Sequence, residues 1–324
     1  MEDLFHRNID YLRISVTDRC NFRCTYCMPK GGFVPMNHSE ILTYEEIERL
    51  CRVFVSLGIH KIKLTGGEPL VRKGFVSLVE RIHKIEGISK VTMTTNGSLL
   101  GDYVEELKMA GLDGVNISLD TLKPDVFTRI TGVDYLQKVL DAIQASLRAG
   151  IPSVKINCVP MRGTNEEEIA AIAALAKDVP VEVRFIEMMP IGKGRDFHEI
   201  TEEDMRRQLE AVYGPMKAEP RKLGNGPAVY FKPEGFVGHI GFISAISHKF
   251  CGSCNRIRLT SDGILKPCLQ YAGYVNLRDQ MRNKATDEEL AEVIRREIYK
   301  KPECHQFLGN VKGMEERVMT SIGG

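Results

Sequence analysis

The sequence predicts an α/β protein on a parallel sheet, either an incomplete (β/α)6 TIM-like barrel or a doubly wound open sheet. Two observations carry this. Between residues 11 and 187, strand-like and helix-like stretches alternate about every thirty residues, the length of one β–α unit, through six repeats. Alternation of that kind requires right-handed crossovers into a parallel sheet. After Met189 the rhythm breaks, so the eight units of a closed barrel are not reached. The expected division is residues 1–190 for the repeats and 191–324 for an extension.

Each element has its own signal. Residues 11–16 alternate in the strand manner and lead straight into a Cys-rich loop. Thr43 with Glu46 is a capping box opening a helix that Gly58 stops. Residues 60–65 form the next strand, ending in Gly66-Gly67-Glu68-Pro69, and a helix spans about 75–85. Strands at 91–95, 114–120, 153–158 and 181–187 follow, with helices reaching about residue 110 and spanning 135–149 and 166–177. From 214 to 241 Gly and Pro are frequent, which reads as a hairpin-rich extension rather than a seventh repeat. A polar helix at 286–300 follows, and residues 319–324 carry no structural signal.

Composition excludes several classes. With 44 Lys and Arg against 43 Asp and Glu the net charge is +1, so no bulk field favours nucleic acid or an acidic membrane. No apolar run approaches a membrane span, and the N-terminus lacks the features of a signal peptide. Nine Cys, most of them in two spaced sets, suit a reducing compartment, and a cytoplasmic protein is expected.

Ligands of parallel α/β sheets sit at the C-terminal strand ends. There lies the first Cys set: Cys20, Cys24 and Cys27, spaced C-x3-C-x2-C, close enough to reach one small inorganic centre. A four-iron cluster normally takes four thiolates, so three leave one iron open to bind a substrate. A zinc site completed by His38 is the competing reading. The second set is Cys251, Cys254 and Cys268, and His248 could make it a Cys3His zinc site. Between its members, Arg256 and Arg258 flank Ile257 and share one face if extended, which suits bidentate recognition of phosphate. Arg13, Lys61, Lys63 and Lys155 lie on strands, and charges on an interior face are costly unless met by a ligand or acid. No P-loop is present, so a polyphosphate would be held by side chains.

The first Cys loop, with Tyr26 before its third Cys and Gly-Gly-Glu-Pro after the second strand, resembles the radical S-adenosylmethionine (SAM) enzymes. That resemblance favours the partial barrel and makes a second three-Cys cluster the better reading of the later set. Adding Thr94-Thr95-Asn96-Gly97, Arg184-Phe185-Ile186-Glu187, Cys251-Gly-x-Cys-Asn-Arg-x-Arg258 and the terminal Gly323-Gly324, the chain is similar to the GTP 3',8-cyclase family, molybdenum cofactor biosynthesis protein A. The resemblance implies two [4Fe-4S] clusters and SAM as cofactors. It also implies a 5'-deoxyadenosyl radical that takes the ribose 3' hydrogen of GTP, after which C3' attacks guanine C8. Cys20, Cys24 and Cys27 would hold the SAM cluster, and Tyr26, Gly67, Ser118 and Met189 would contact SAM. Cys251, Cys254 and Cys268 would hold the second cluster. Arg13, Lys63, Thr94, Lys155, Arg256, Ile257 and Arg258 would bind GTP, with Lys63 standing where family members often carry Arg. Arg256, Arg258, Gly323 and Gly324 would serve catalysis, the double-Gly tail reaching into the active site. An external one-electron reductant and a downstream cyclic pyranopterin monophosphate synthase are the implied partners, with no nucleic acid or membrane, and a homodimer is compatible. The alternatives are another radical SAM enzyme with an auxiliary cluster and a non-catalytic zinc or electron-transfer protein.

Overall fold

The computed structural model describes residues 1–29, 31–273, 275–307, 315, 317 and 319–323. In chain order its elements are β1 (Tyr11–Ser15), α1 (Tyr44–Ser56), β2 (Lys61–Thr65), α2 (Phe75–His83), β3 (Lys90–Thr95), α3 (Leu100–Met109), β4 (Gly114–Ser118), α4 (Pro124–Thr131), α5 (Leu136–Arg148), β5 (Val154–Cys158), α6 (Ile169–Ala173) and β6 (Glu182–Ile186). There follow α7 (Glu202–Tyr213), β7 (Lys217–Glu219), β8 (Val229–Lys232), β9 (His239–Ile243), β10 (Arg256–Leu259), β11 (Ile264–Lys266), β12 (Val275–Asn276), α8 (Leu277–Arg282), α9 (Asp287–Tyr299) and α10 (Met319–Ile322).

All strands join one sheet in the order β12-β11-β10-β1-β2-β3-β4-β5-β6-β9-β8-β7. β1 to β6 are parallel neighbours, as the repeat predicts. Among the described residues no pairing joins β12 to β7, so the barrel is incomplete. The parallel part is nevertheless longer than six strands. β9 adds parallel to β6, and β10 adds parallel to β1. The reading of 214–241 as hairpins alone is therefore corrected: β7 and β8 are antiparallel edge strands, but β9 continues the barrel. The expected helix at 166–177 is a broken run, α6 flanked by 3-10 turns at Glu166–Glu168 and Ala174–Ala176. α4 and α10 are additional to the elements the sequence predicts.

Alternation along each strand divides the residues between two environments. Leu12, Ile14, Ile62, Leu64, Val91, Met93, Val115, Ile117, Val154, Ile156, Val183, Phe185, Ile240, Phe242, Ile257 and Leu259 are at most 2% exposed and belong to one core cluster with residues of the helices. Burying such a side chain is worth about 1.5–3 kcal/mol, so this layer between sheet and helices stabilises the fold. α1 starts at the expected capping box, with the Glu46 amide donating to the Thr43 hydroxyl (3.1 Å) and the Thr43 amide to the Glu46 carboxylate (2.8 Å). Thr286 and Glu289 repeat the arrangement at α9. No helix among the described residues is long and apolar enough to cross a membrane.

Candidate functional site

The other face of the parallel strands is polar and charged, and it encloses a cavity of about 340 Å³. Pairing sets Arg258 beside Arg13, Arg13 beside Lys63 and Lys63 beside Thr92. Farther round, Lys155 lies beside Glu182 and Asn157 beside Arg184. Lys63, Lys155, Arg184 and Arg258 are all buried. Lys155 pairs with Glu182 at 2.9 Å and also donates to the Leu223 carbonyl, while Arg184 donates to Asn157 Oδ1. Burial, reinforced by Arg184, Arg13, Lys155 and Lys90, holds the Lys63 ammonium well below its ordinary pKa. Burial, with Arg13 and Arg256, does the same to the Arg258 guanidinium. Cations crowded this closely raise each other's energy, and a bound polyanion removes the penalty.

Of the residues expected to bind nucleotide, Arg13, Lys63, Thr94, Lys155, Arg256 and Arg258 line this cavity. Ile257 does not: its side chain is in the apolar core behind the sheet. Lys61 shares the face of Lys63 but is neutralised by Asp10 at 2.5 Å. Arg184, quoted only within a family motif, has no binding role in the sequence analysis, although its alternation with outward Val183 and Phe185 carries the same signal as Lys63.

The first Cys loop leaves the end of β1 and is pinned to the end of α4. The Arg23 amide donates to the Thr131 carbonyl (2.8 Å) and the Thr25 amide to that of Ile130 (2.9 Å). Cys20, Cys24 and Cys27 all line the cavity. Burial pushes the Cys20 thiol up to about 11 and that of Cys27 up to about 12, so a cation is needed to hold them as thiolates. The Phe22 amide (3.4 Å) and Asn96 Nδ2 (3.8 Å) already point at Cys20 Sγ as donors. The three thiols, desolvated on one loop with donors to sulfur, fit a cluster held by thiolates.

Gly66 and Gly67 are wedged against the stem of this loop. A Cβ on Gly67 would lie 2.4 Å from the Arg19 carbonyl oxygen, and one on Gly66 2.5 Å from that of Thr17. Gly67, Tyr26, Ser118 and Met189, expected around SAM, line the cavity together with the first Cys set. The Glu68 carboxylate is fully buried. It accepts from Thr95 Oγ1 (2.8 Å), the Asn96 amide (2.6 Å) and the Leu70 amide (3.1 Å), joining the β2 and β3 turns. Burial raises its pKa to about 7 despite these bonds. The acid that does face the cavity is Asp120, which accepts from the Tyr26 hydroxyl (2.6 Å) and the Val159 amide (2.8 Å) and is raised by burial to about 6.

Cys251, Cys254 and Cys268 open on the same cavity. Arg7 secures this region: paired with Asp3 at 2.6 Å, it donates to the carbonyls of Cys251 (2.9 Å), Glu303 (2.7 Å) and Pro302 (2.8 Å). Lys301 is buried, and the Nζ hydrogen bonds go to the carbonyls of Arg256 (2.9 Å) and Pro267 (2.5 Å). Against the opposing effect of burial, Lys301 and Arg256 lower the Cys254 thiol to about 6. Two cations beside three thiols fit an anionic thiolate-held cluster. His248, the proposed fourth zinc ligand, is exposed, pairs with Glu202 at 3.3 Å and does not line the cavity. Among the described residues no three His, Cys, Asp or Glu side chains converge on a single-ion site.

The tail re-enters this region. The Gly323 carbonyl accepts from Arg258 Nη1 at 3.0 Å, and Met319 and Thr320 line the cavity. Gly323 has φ +73°, and a Cβ there would lie 3.0 Å from Ser15 Cβ and 3.2 Å from Thr65 Cγ2. Gly324 lies outside the described residues.

Comparison with known proteins agrees with this arrangement. Residues 14–176 match the Radical SAM superfamily, and residues 181–307 match Molybdenum Cofactor Synthesis C. The GTP 3',8-cyclase of Clostridium perfringens (strain 13 / Type A) is 47% identical over 324 residues, covering 100% of both chains. That of Heliobacterium modesticaldum is 46% identical, again with full coverage of both. Among solved structures, Streptococcus suis SuiB bound to S-adenosylmethionine superposes with a TM-score of 0.59 over 89% of this chain and 68% of its own, at 16% identity, a likeness of fold. With near-half identity along its entire length and both domain families in sequence, the chain belongs to the GTP 3',8-cyclase family of radical SAM enzymes.

Proposed function

We propose that the chain cyclises GTP to (8S)-3',8-cyclo-7,8-dihydroguanosine 5'-triphosphate, the first step of molybdenum cofactor biosynthesis. The observation that carries this is that both three-thiol sets and the cation-lined strand face open on one cavity. Cys20, Cys24 and Cys27 would hold one [4Fe-4S] cluster, and Cys251, Cys254 and Cys268 the other. When bound, the first, with SAM and an external one-electron reductant, would supply a hydrogen-abstracting 5'-deoxyadenosyl group, and the second would supply a Lewis-acidic iron for the base.

The protein's own residues bind and orient. Arg13, Lys63, Lys155, Arg256 and Arg258, with the Ile257 main chain and Thr94, would take the triphosphate and ribose, relieving their mutual repulsion. Tyr26, Gly67, Ser118 and Met189 would seat SAM, and Gly323-Gly324 would present Arg258. The ribose 3' hydrogen would pass to the 5' carbon of that group, C3' would bond to C8, and one further electron from the reductant, with a proton, would complete the dihydroguanine. A soluble, cytoplasmic enzyme supplying a cyclic pyranopterin monophosphate synthase fits this reading. Residues 1–190 would form the radical-generating part and 191–324 the part carrying the second cluster. The test is anaerobic reconstitution followed by SAM, GTP and dithionite. The expected result is 5'-deoxyadenosine with one cyclised nucleotide, and SAM cleavage without a GTP-derived product would overturn the reading.

A further inference from the structure

His305 sits in the wall of the shared cavity, beside Cys251, Cys254 and Cys268. It is 5% exposed, yet among the described residues neither ring nitrogen makes a hydrogen bond of good geometry, the Ala245 backbone being the near acceptor that favours a protonated ring nitrogen. Leaving a buried polar group unsatisfied is costly, so the position is disfavoured unless a ligand meets it. The ring is nonetheless held firmly. It stacks on Phe307 with centroids 4.3 Å apart. The chain before it is clamped by Arg7 at the Pro302 and Glu303 carbonyls, and the chain after it by the Gln306 amide donating to Gln270 Oε1 at 2.5 Å. The neighbouring polar groups are committed. Lys301 donates to the carbonyls of Arg256 and Pro267, and Arg256 is given to the triphosphate in the reading above.

The geometry points to His305 as the residue that reads the nucleobase, its ring N–H donating to O6 of guanine. Guanine presents acceptors at O6 and N7, whereas adenine presents a donor amine at position 6, so one imidazole donor separates the two. This deepens the reading given above and rests on it: the strand cations would hold phosphates, which every nucleoside triphosphate carries, and none of them selects a base.

The test uses the reconstituted holoenzyme without reductant and measures binding of GTP, inosine triphosphate and 2-aminopurine riboside triphosphate, the last lacking O6. His305→Ala should weaken GTP and inosine triphosphate by about tenfold or more and leave 2-aminopurine riboside triphosphate unchanged. His305→Asn, which keeps a donor, should recover part of the loss, with iron content and, in a separate dithionite-reduced sample without nucleotide, the electron paramagnetic resonance of both clusters unaltered. Equal losses on all three nucleotides, or none, would overturn the proposal, as would a changed second-cluster signal without nucleotide, which would make His305 a metal ligand. A wild-type holoenzyme that bound no GTP would remove the underlying reading as well.

Discussion

Replacing Gly323 with Ala should stop turnover while leaving both metal sites loaded. The residue is left-handed, and the added methyl would lie 3.0 Å from Ser15 Cβ and 3.2 Å from Thr65 Cγ2. The backbone conformation costs a non-glycine residue about 1–2 kcal/mol, and overfilling a packed contact costs about 1–3 kcal/mol more. The tail can escape both by leaving the cavity. A combined penalty of about 2–5 kcal/mol therefore falls on docking, a loss of about 30-fold to 4,000-fold in the docked population. Arg258 then loses its carbonyl partner. The assay is GTP conversion by anaerobically reconstituted enzyme, alongside iron content and SAM binding, which should not change. Adding Ser15→Gly removes the nearer contact but not the backbone cost, so activity should return only in part. A Gly323→Ala enzyme with wild-type kcat and KM would refute the reasoning.

Three further outcomes follow from the site. Glu68 keeps its proton up to about pH 7 when folded but loses it near 4.5 when unfolded, so its contribution to stability falls by about 3 kcal/mol as pH rises across that window; Glu68→Gln should flatten that part of the denaturation profile, and an unchanged slope would contradict the assignment. Gly67→Ala sets a methyl against the Arg19 carbonyl, backbone against backbone, and should cost SAM binding and the first cluster, leaving about four of about eight irons; full iron with normal SAM affinity would count against it. Arg7→Met, made with Asp3→Asn so that no buried charge is stranded, should release the Cys251 and 302–303 carbonyls and lower second-cluster occupancy; a full second-cluster signal in a folded variant would refute this.

Much of the barrel was legible because each strand writes its two environments into alternate residues. Ile62 and Leu64 packing outward made Lys63 inward, and the same rule set Lys155 facing the cavity. Arg184 obeys it equally and could have been found by it. What could not be read was partnership between distant segments. Nothing local in His239–Ile243 or Arg256–Leu259 says that one pairs with β6 and the other with β1, because pairing depends on the completed sheet. The burial of the Glu68 carboxylate was illegible for a related reason: the groups that donate to it, Thr95 and Asn96, come from the following repeat. His305 gave no sequence signal, since a single His close to the C-terminus is informative only once the cavity wall is known.

The pairing of β1 with β10 has a consequence for synthesis. The first strand leaves the ribosome about 240 residues ahead of its neighbour, a delay of about 10–50 s at ordinary elongation rates. Throughout that interval one edge of the nascent sheet offers unpaired amides and carbonyls to any passing chain. Arg13, charged and halfway along that edge, discourages such encounters until the late-made half arrives, so the guanidinium that suits an anion in the mature enzyme would also guard the unfinished one.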